Sequence, residues 1–280
     1  MRTALIGHTG FVGSNLAAAH AFTDVYNTGN IAEIRGRSYD LVVSAASRAD
    51  SHRINQHGAE DRAEIDAYLG VVSTVDIARL VLISTVCIYP GETTPDETTP
   101  LSERGLTPYG ANRLHMERTL AERFPTLALR LPQLYGGNLK KGIVYDLLNE
   151  YRTEYIRPDG RFQYYDLRRL WSDTQIALDA GLAALNVATP PLTSARVAAE
   201  CFGMDIADQV VAGDESPFAR MYTRDMRTVH ADLFGGPPGY LMNEAEELSA
   251  LRSFVRDQRS EAARSHRVVP AAGEAPEELS

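Results

Sequence analysis

Gly7-His8-Thr9-Gly10-Phe11-Val12-Gly13 is a segment whose residue types and spacing can hold a diphosphate. It follows a short apolar run, Thr3 to Gly7, and opens a helical pattern, Gly10 to His20. Glycines so placed permit a tight turn, let the backbone approach a pyrophosphate, and leave a helix N-terminus facing it. A second set stands later in the chain. The run Ile83-Ser84-Thr85-Val86-Cys87-Ile88-Tyr89-Pro90 is followed, across a polar loop, by Thr107-Pro108-Tyr109-Gly110-Ala111-Asn112-Arg113. Tyr109 and Arg113 are one helical turn apart and share a face. A phenol, with its ordinary pKa of about 10, is a poor base at neutral pH unless a nearby cation stabilises the phenolate. Proton exchange with an oxygen is the chemistry this pair can do.

The elements that must position these residues alternate as βαβ units do. Short apolar runs at Thr3 to Gly7, Asp24 to Asn27, Tyr39 to Ala45, Leu80 to Thr85 and Leu127 to Leu131 read as strands of a parallel sheet. Helical patterns lie between them at Gly10 to His20, about Ala59 to Asp76, and Tyr109 to Phe124. Beyond Pro132 the pattern predicts helices near Ile143 to Tyr151 and from Asp166 to about Leu182, then a strand from Ala184 to Ala188. A helix capped by Thr193 or Ser194 runs on to Phe202. The fold class expected is α/β, a doubly wound parallel sheet carrying a small C-terminal α/β lobe. The sheet domain takes residues 1–135 and 165–189, and the lobe 136–164 and 190–257. Residues 258–280, rich in Ala, Glu, Arg and Pro without apolar periodicity, read as a disordered tail. There are no internal repeats.

Composition bounds the function. The chain has 280 residues, 44% hydrophobic and 23% charged, with formal net charge -9, which argues against an electrostatic grip on nucleic acid. Cys87 and Cys201 cannot make a disulfide framework, and a reducing cytoplasm is the expected compartment. His8, Thr9, Ser14 and Asn15 interrupt the apolar stretch that ends in Ala19-His20-Ala21, so it does not read as a leader. No apolar run is long enough to span a membrane, and no metal is called for. Lys140 and Lys141 are the only lysines among 28 cationic residues, an adjacent pair in a chain that otherwise uses arginine.

With the three motifs in this order and distance, the chain resembles the extended short-chain dehydrogenase/reductases, the NAD-dependent epimerase/dehydratase family. The resemblance runs from residue 1 to about 190 and more faintly to about 257. It implies a Rossmann domain binding NAD or NADP through Gly7, Thr9, Gly10, Phe11, Val12, Gly13, Asn27, Ala45, Ala46, Tyr109, Arg113 and Pro132. The second strand ends Tyr26-Asn27-Thr28-Gly29-Asn30 with no acid at its tip, and Arg35 and Arg37 come soon after. This leans toward NADP, since an acid there would hold the adenosine ribose. The resemblance further implies that Thr85 hydrogen-bonds the substrate oxygen and that Tyr109 exchanges a proton with it while hydride moves. Where the family has lysine, this sequence has Arg113, which supplies charge on a larger, planar group that keeps its proton. Three readings stay open: a working variant, a transfer of the lysine role to Lys140 or Lys141, or lost catalysis with retained binding.

The two residues after Thr85 narrow the reaction. The family's 4,6-dehydratases carry an Asp-Glu pair there, and this chain has Val86 and Cys87, so dehydration is not expected. Cys87-Ile88-Tyr89-Pro90 resembles instead the corresponding piece of ketosugar epimerase-reductases such as GDP-fucose synthase, which use this Cys with a His from a later loop. The comparable loop here, Tyr135 to Gly142, has no His but holds both lysines. Cys87 and one lysine are therefore expected to flank the substrate, with a buried cysteine and a surface lysine pair as the bland alternative. Val86, Gln133, Tyr135, Lys140, Lys141 and Arg161 are the expected substrate contacts. Arg152, Arg157, Arg161, Arg168 and Arg169 alternate with Tyr155, Phe162, Tyr164, Tyr165 and Trp171, a mixture suited to a diphosphate and a base. The function expected is an NAD(P)-dependent epimerase or oxidoreductase acting on a sugar, nucleotide-linked, as a homodimer. The alternatives are an NADPH-dependent ketosugar reductase and a non-catalytic NAD(P)-binding sensor.

Overall fold

The computed structural model describes residues 1–91, 93–211 and 225–267. In chain order the strands are β1 Thr3–Ile6, β2 Asp24–Tyr26, β3 Ser38–Tyr39, β4 Leu41–Ser44, β5 Asp76–Ile77, β6 Leu80–Thr85, β7 Thr126–Leu131, β8 Gln133–Tyr135, β9 Arg161–Phe162, β10 Tyr164–Asp166, β11 Ala184–Asn186 and β12 Leu192–Thr193. The helices are α1 Phe11–Ala19, α2 Ser51–Gln56, α3 Gly58–Val72, α4 Pro108–Arg123, α5 Ile143–Leu148, α6 Leu170–Asp179, α7 Ser194–Val197 and α8 Glu244–Arg267. Six strands form one parallel sheet in the order β11-β7-β6-β4-β1-β2. This is the Rossmann-type α/β architecture.

Alternate residues of the strands face two helical layers, as the pleat requires. Leu5, Val43 and Val81 pack with Leu16 of α1 and Leu170, Ala177 and Leu178 of α6. Their neighbours Ala4, Ile6, Val42, Leu80 and Leu82 pack with Ile65, Leu69 and Val72 of α3 and Met116 and Leu120 of α4. The chain leaves β1 for β2 on one side and returns to β4 on the other. The crevice outside the ends of β1 and β4 is thus the switch point at which open α/β sheets bind ligands.

A third apolar cluster builds the lobe, with Val144 and Leu147 of α5, Ile156, Tyr164, Leu192, Phe202, and Leu248, Leu251 and Phe254 of α8. Tyr164 belongs to this cluster while its neighbour Tyr165 belongs to the sheet's core, so β10 stitches the two together.

Three expectations change. The tail does not begin at 258, because α8 runs unbroken to Arg267: its apolar stripe ends at Val255, and residues 256–264 beyond it are largely exposed. Residues 268–280 lie outside the described residues, as do 212–224 of the lobe. The helix expected from about Ala59 to Asp76 begins at Gly58 but ends at Val72, and a separate α2 precedes it. The helix expected from Asp166 is capped by that residue's carboxylate, which accepts from the Arg168 N–H at 2.9 Å, and turns regular only at Leu170. Among the described residues no helix is long and apolar enough to cross a membrane.

Candidate active site

The glycine loop sits at the switch point and is shaped by steric necessity. Gly7, at φ +90, takes a conformation that side chains resist, and its N–H donates to the Tyr26 carbonyl at 2.7 Å. A Cβ on Gly7 would stand 2.4 Å from the Ala45 carbonyl oxygen, and one on Gly13 would stand 2.1 Å from the oxygen of Gly7. The loop therefore lies in direct backbone contact with the segment after β4, and α1 begins flush against it. No side chain caps α1, whose N-cap is Gly10, so its first-turn N–H groups are open to an anion. Phe11 and Val12 pack inward on the sheet, while Thr9 is exposed and Ala45 and Ala46 line the opposite wall.

The second set is assembled by α4 pressing on the end of β6. The Thr85 hydroxyl accepts from the Cys87 N–H at 3.2 Å and starts the tight turn of Val86 to Ile88. The Thr107 side chain caps α4 by accepting from the Gly110 N–H, with Pro108 in the first turn where a missing N–H costs nothing. A Cβ on Gly110 would be 2.1 Å from the Cys87 carbonyl oxygen. Only glycine lets α4 come this close, and the contact is what brings Tyr109 beside Thr85 and Cys87. Tyr109 is buried, and that burial pushes its hydroxyl pKa up; Cys87 adds to the rise, while the Arg113 guanidinium and the Thr85 hydroxyl beside it act the other way.

Arg113 does not stand free, as its spacing from Tyr109 alone would suggest. Its guanidinium lies 4.7 Å from the centre of the Tyr109 ring and is held bidentately by Asp61 of α3, with bonds of 2.9 and 3.0 Å. A further bond of 2.7 Å runs to the Arg48 carbonyl. Its Nε is buried without a partner among the described residues. Asp61 also accepts from Asn112 at 2.8 Å, Asn112 donates to the Gly58 carbonyl, and the Asn55 side chain accepts from the Tyr109 N–H at 3.0 Å. A Cβ on Gly58 would be 2.6 Å from Cβ of Pro108. The corner between α2 and α3 thus clamps the first turns of α4. Asn55, Gly58 and Asp61 do not stand out in the sequence, because their partners lie about fifty residues away and acids on a helix ordinarily face solvent.

The remaining expected residues divide. The loop after β8 crosses the first turns of α1: Asn15 and the Gly137 backbone bond each other twice, at 2.8 and 2.9 Å, and Asn138 reaches Ser14. In the same loop Lys141 donates to the Ala49 carbonyl at 2.9 Å beside the segment after β4, and Lys140 is exposed. Pro132 and Val86 are half-buried, Gln133 is exposed, and Asn27 follows the tip of β2. Tyr135 is not a pocket lining: it is 1% exposed and packs on Phe254 in the lobe core. Three arginines of the segment expected to hold a diphosphate are engaged by carboxylates of this chain. Arg157 pairs with Asp159, Arg168 with Asp166 and Asp257, and Arg169 with Asp173. Tyr164 and Tyr165 are core residues, and Trp171 stacks on His20. Arg161 remains exposed on β9. Arg37, one of the residues behind the NADP lean, is engaged by Asp24 at 3.4 Å. Cys201, buried on Leu248, has its thiol pushed up to about 11 by burial.

A nicotinamide dinucleotide fits these residues on two observations. Gly7 and Gly13, packed backbone to backbone, hold the uncapped N-terminus of α1 at the switch point, and Arg113 Nε is a buried donor without an acceptor among the described residues.

Residues 21–152 match the model of the NAD dependent epimerase/dehydratase family. No curated protein matches the chain significantly. Among solved structures, MoeE5 in complex with UDP-glucuronic acid and NAD superposes with a TM-score of 0.70 at 15% identity, covering 92% of this chain and 100% of the other. UDP-glucose 4-epimerase of Thermotoga maritima with UDP-glucose gives 0.69 at 15%, covering 94% and 100%. A dTDP-4-dehydrorhamnose reductase from Clostridium acetobutylicum gives 0.69 at 14%, covering 92% and 100%. Likeness at this identity establishes the shared fold. The matched segment carries Thr85, Tyr109 and Arg113, and over residues 21–152 the chain is similar to the NAD-dependent epimerase/dehydratase family.

Proposed function

We propose that the protein is an NAD- or NADP-dependent oxidoreductase or epimerase of a sugar carried on a nucleotide. The observation that carries this reading is the convergence of Thr85, Cys87, Tyr109 and Arg113 at the end of β6, in the same sheet whose switch point carries the glycine loop. When bound, the dinucleotide supplies hydride transfer to or from carbon. Gly7, Gly10, Phe11, Val12 and Gly13 would receive its diphosphate on backbone N–H groups, Ala45, Ala46 and Pro132 would flank it, and Arg113 Nε would donate to its ribose. The Thr85 hydroxyl orients the substrate oxygen, and the Tyr109 hydroxyl gives or takes the proton there. Cys87, held two residues beyond Thr85 by their shared turn, is placed to move a proton at a neighbouring carbon.

A ketosugar reductase is the second reading: Tyr109 is buried beside Thr85, and a neutral phenol there can donate a proton to a carbonyl oxygen. A solved structure of the same fold is an NAD dependent-NDP-hexosamine 5,6-dehydratase, at 15% identity; Val86 and Cys87 after Thr85 are the ground for preferring reduction or epimerisation over loss of water.

The test is a dinucleotide titration followed by the absorbance of the reduced nicotinamide on adding nucleotide-linked 4-keto hexoses. Saturable binding and substrate-dependent oxidation of the reduced cofactor support the reductase. Tightly held cofactor with no net absorbance change but interconversion of hexose isomers supports the epimerase. Binding without either reaction leaves the non-catalytic sensor.

A further inference from the structure

We propose that Asp61 is a positioning residue of this site: by holding the Arg113 guanidinium bidentately against Tyr109 it offsets the cation's charge at the phenol, so that Tyr109 serves as a proton donor. This rests on the reading that Tyr109 exchanges the substrate proton.

Three features of the geometry support it. The pair is closed and dry, with side chains 3% and 7% exposed, so neither charge is screened by water. It is bidentate, the geometry in which a planar guanidinium matches a carboxylate best. It is also fixed from both sides: Asn112 donates to the same carboxylate, and the Arg48 carbonyl accepts from Nη2 of the guanidinium, the nitrogen that also reaches Asp61. A lysine at position 113 would carry its charge on a flexible stem. Arg113 instead carries it beside a carboxylate, where the two together act on Tyr109 as a dipole whose field falls off faster than that of a lone cation. The ionisable or charged groups around the phenol are then Cys87 from the turn after β6, Arg113 from its own helix, and Asp61 behind Arg113 from α3; Thr85 of β6 contributes a neutral hydroxyl. Arg113 and Asp61 act on this reading as one paired unit, and the arginine is not a sign of lost catalysis.

The test uses the full chain with Tyr109 replaced by difluorotyrosine, whose phenol titrates in the range where the fold is stable, followed by fluorine NMR. Asp61→Asn keeps the shape and removes the offsetting charge. The acid dissociation constant of the phenol is then expected to rise at least tenfold. Asp61→Asn combined with Arg113→Gln removes both charges, and its value is expected within about threefold of the parent. A purely structural Asp61 would lower the melting temperature of the single variant and leave the titration of the folded protein where it was, which overturns the proposal. So does a double variant displaced as far as the single one. Should Asp61→Asn fail to fold, Arg113→Gln alone decides: with Asp61 uncompensated the constant must fall at least tenfold, and no change refutes the idea. Titration of NAD and NADP into the same samples separates the two levels, since absence of dinucleotide binding sinks the proposed function while the phenol titration still answers for Asp61.

Discussion

Gly13→Ala puts the cofactor cradle to a direct test. The added Cβ would stand 2.1 Å from the Gly7 carbonyl oxygen and 2.7 Å from its carbon. Ordinary contact begins at roughly 3.4 Å, so the loop or α1 must move by about an ångström in a close-packed setting. Gly7 cannot retreat toward β4, because its own Cα already faces the Ala45 carbonyl, and its N–H is tied to Tyr26 at 2.7 Å while its oxygen accepts from the Gly10 N–H at 3.0 Å. The movement must therefore be taken by the first turn of α1, the part that would meet the diphosphate. Displacing several backbone donors by an ångström weakens each, and dinucleotide affinity is expected to fall at least tenfold, about 1.4 kcal/mol or more. Calorimetric titration of NAD and NADP measures it, with thermal melting to confirm the fold. A folded Gly13→Ala variant that binds either dinucleotide as tightly as the parent would refute the cradle.

Other expectations rest on the same structure. Glu117 and Arg130 form a second buried pair at 2.5 Å, with Ser84 bonding the carboxylate and Tyr89 the guanidinium. Glu117→Ala leaves an uncompensated buried cation and should cost about 3–5 kcal/mol, read as a fall in denaturation midpoint; a loss below about 1 kcal/mol contradicts this. Glu247 of α8 is fully buried, accepts from the Tyr164 N–H at 2.9 Å, and burial holds its pKa well above the usual carboxyl range. The folded chain thus keeps a proton that the unfolded chain releases. The associated stability is full below the unfolded carboxyl's pKa, about 4.3, and is lost as pH rises through the folded value. Glu247→Gln, which retains the acceptor, should flatten the decline of melting temperature above that pH, and parallel curves would count against it. Cys87→Ser should slow solvent deuterium entry at the carbon beside a substrate carbonyl at least tenfold while hydride transfer persists; equal incorporation in both proteins removes Cys87 from proton transfer.

Much of the frame is legible in the residues because local rules set it. The strands read as bounded apolar runs, and β6 and α4 carry their own stop and start signals in Pro90, Thr107 and Pro108. The spacing of Gly7, Gly10 and Gly13 marks the tight, backbone-packed turn that leads from β1 into α1. What escapes is what tertiary contact decides. Asp61 looks like any first-turn acid on a helix until α4 is packed against α3. Arg157, Arg168 and Arg169 look available until their carboxylate partners are placed. Tyr135, polar at its tip and next to glycines, looks like a lining until β8 pairs with β10 and turns it into the lobe core. The last turns of α8 have no apolar stripe to announce them; they extend a helix whose anchoring is done by Leu248, Leu251 and Phe254.

The central claim, that Tyr109 exchanges a proton with a sugar oxygen while hydride moves nearby, is tested most directly with NADPH or NADH deuterated at the transferring carbon of the nicotinamide. The protein and a nucleotide-linked 4-keto hexose are mixed and the sugar product analysed by mass spectrometry, for the parent chain and for Tyr109→Phe. Deuterium is expected at the reduced carbon with the parent, and a loss of at least a hundredfold in rate with Tyr109→Phe at saturating dinucleotide. Deuterium transfer at the same rate in both proteins would contradict it, as would none with the parent across nucleotide sugars and pH.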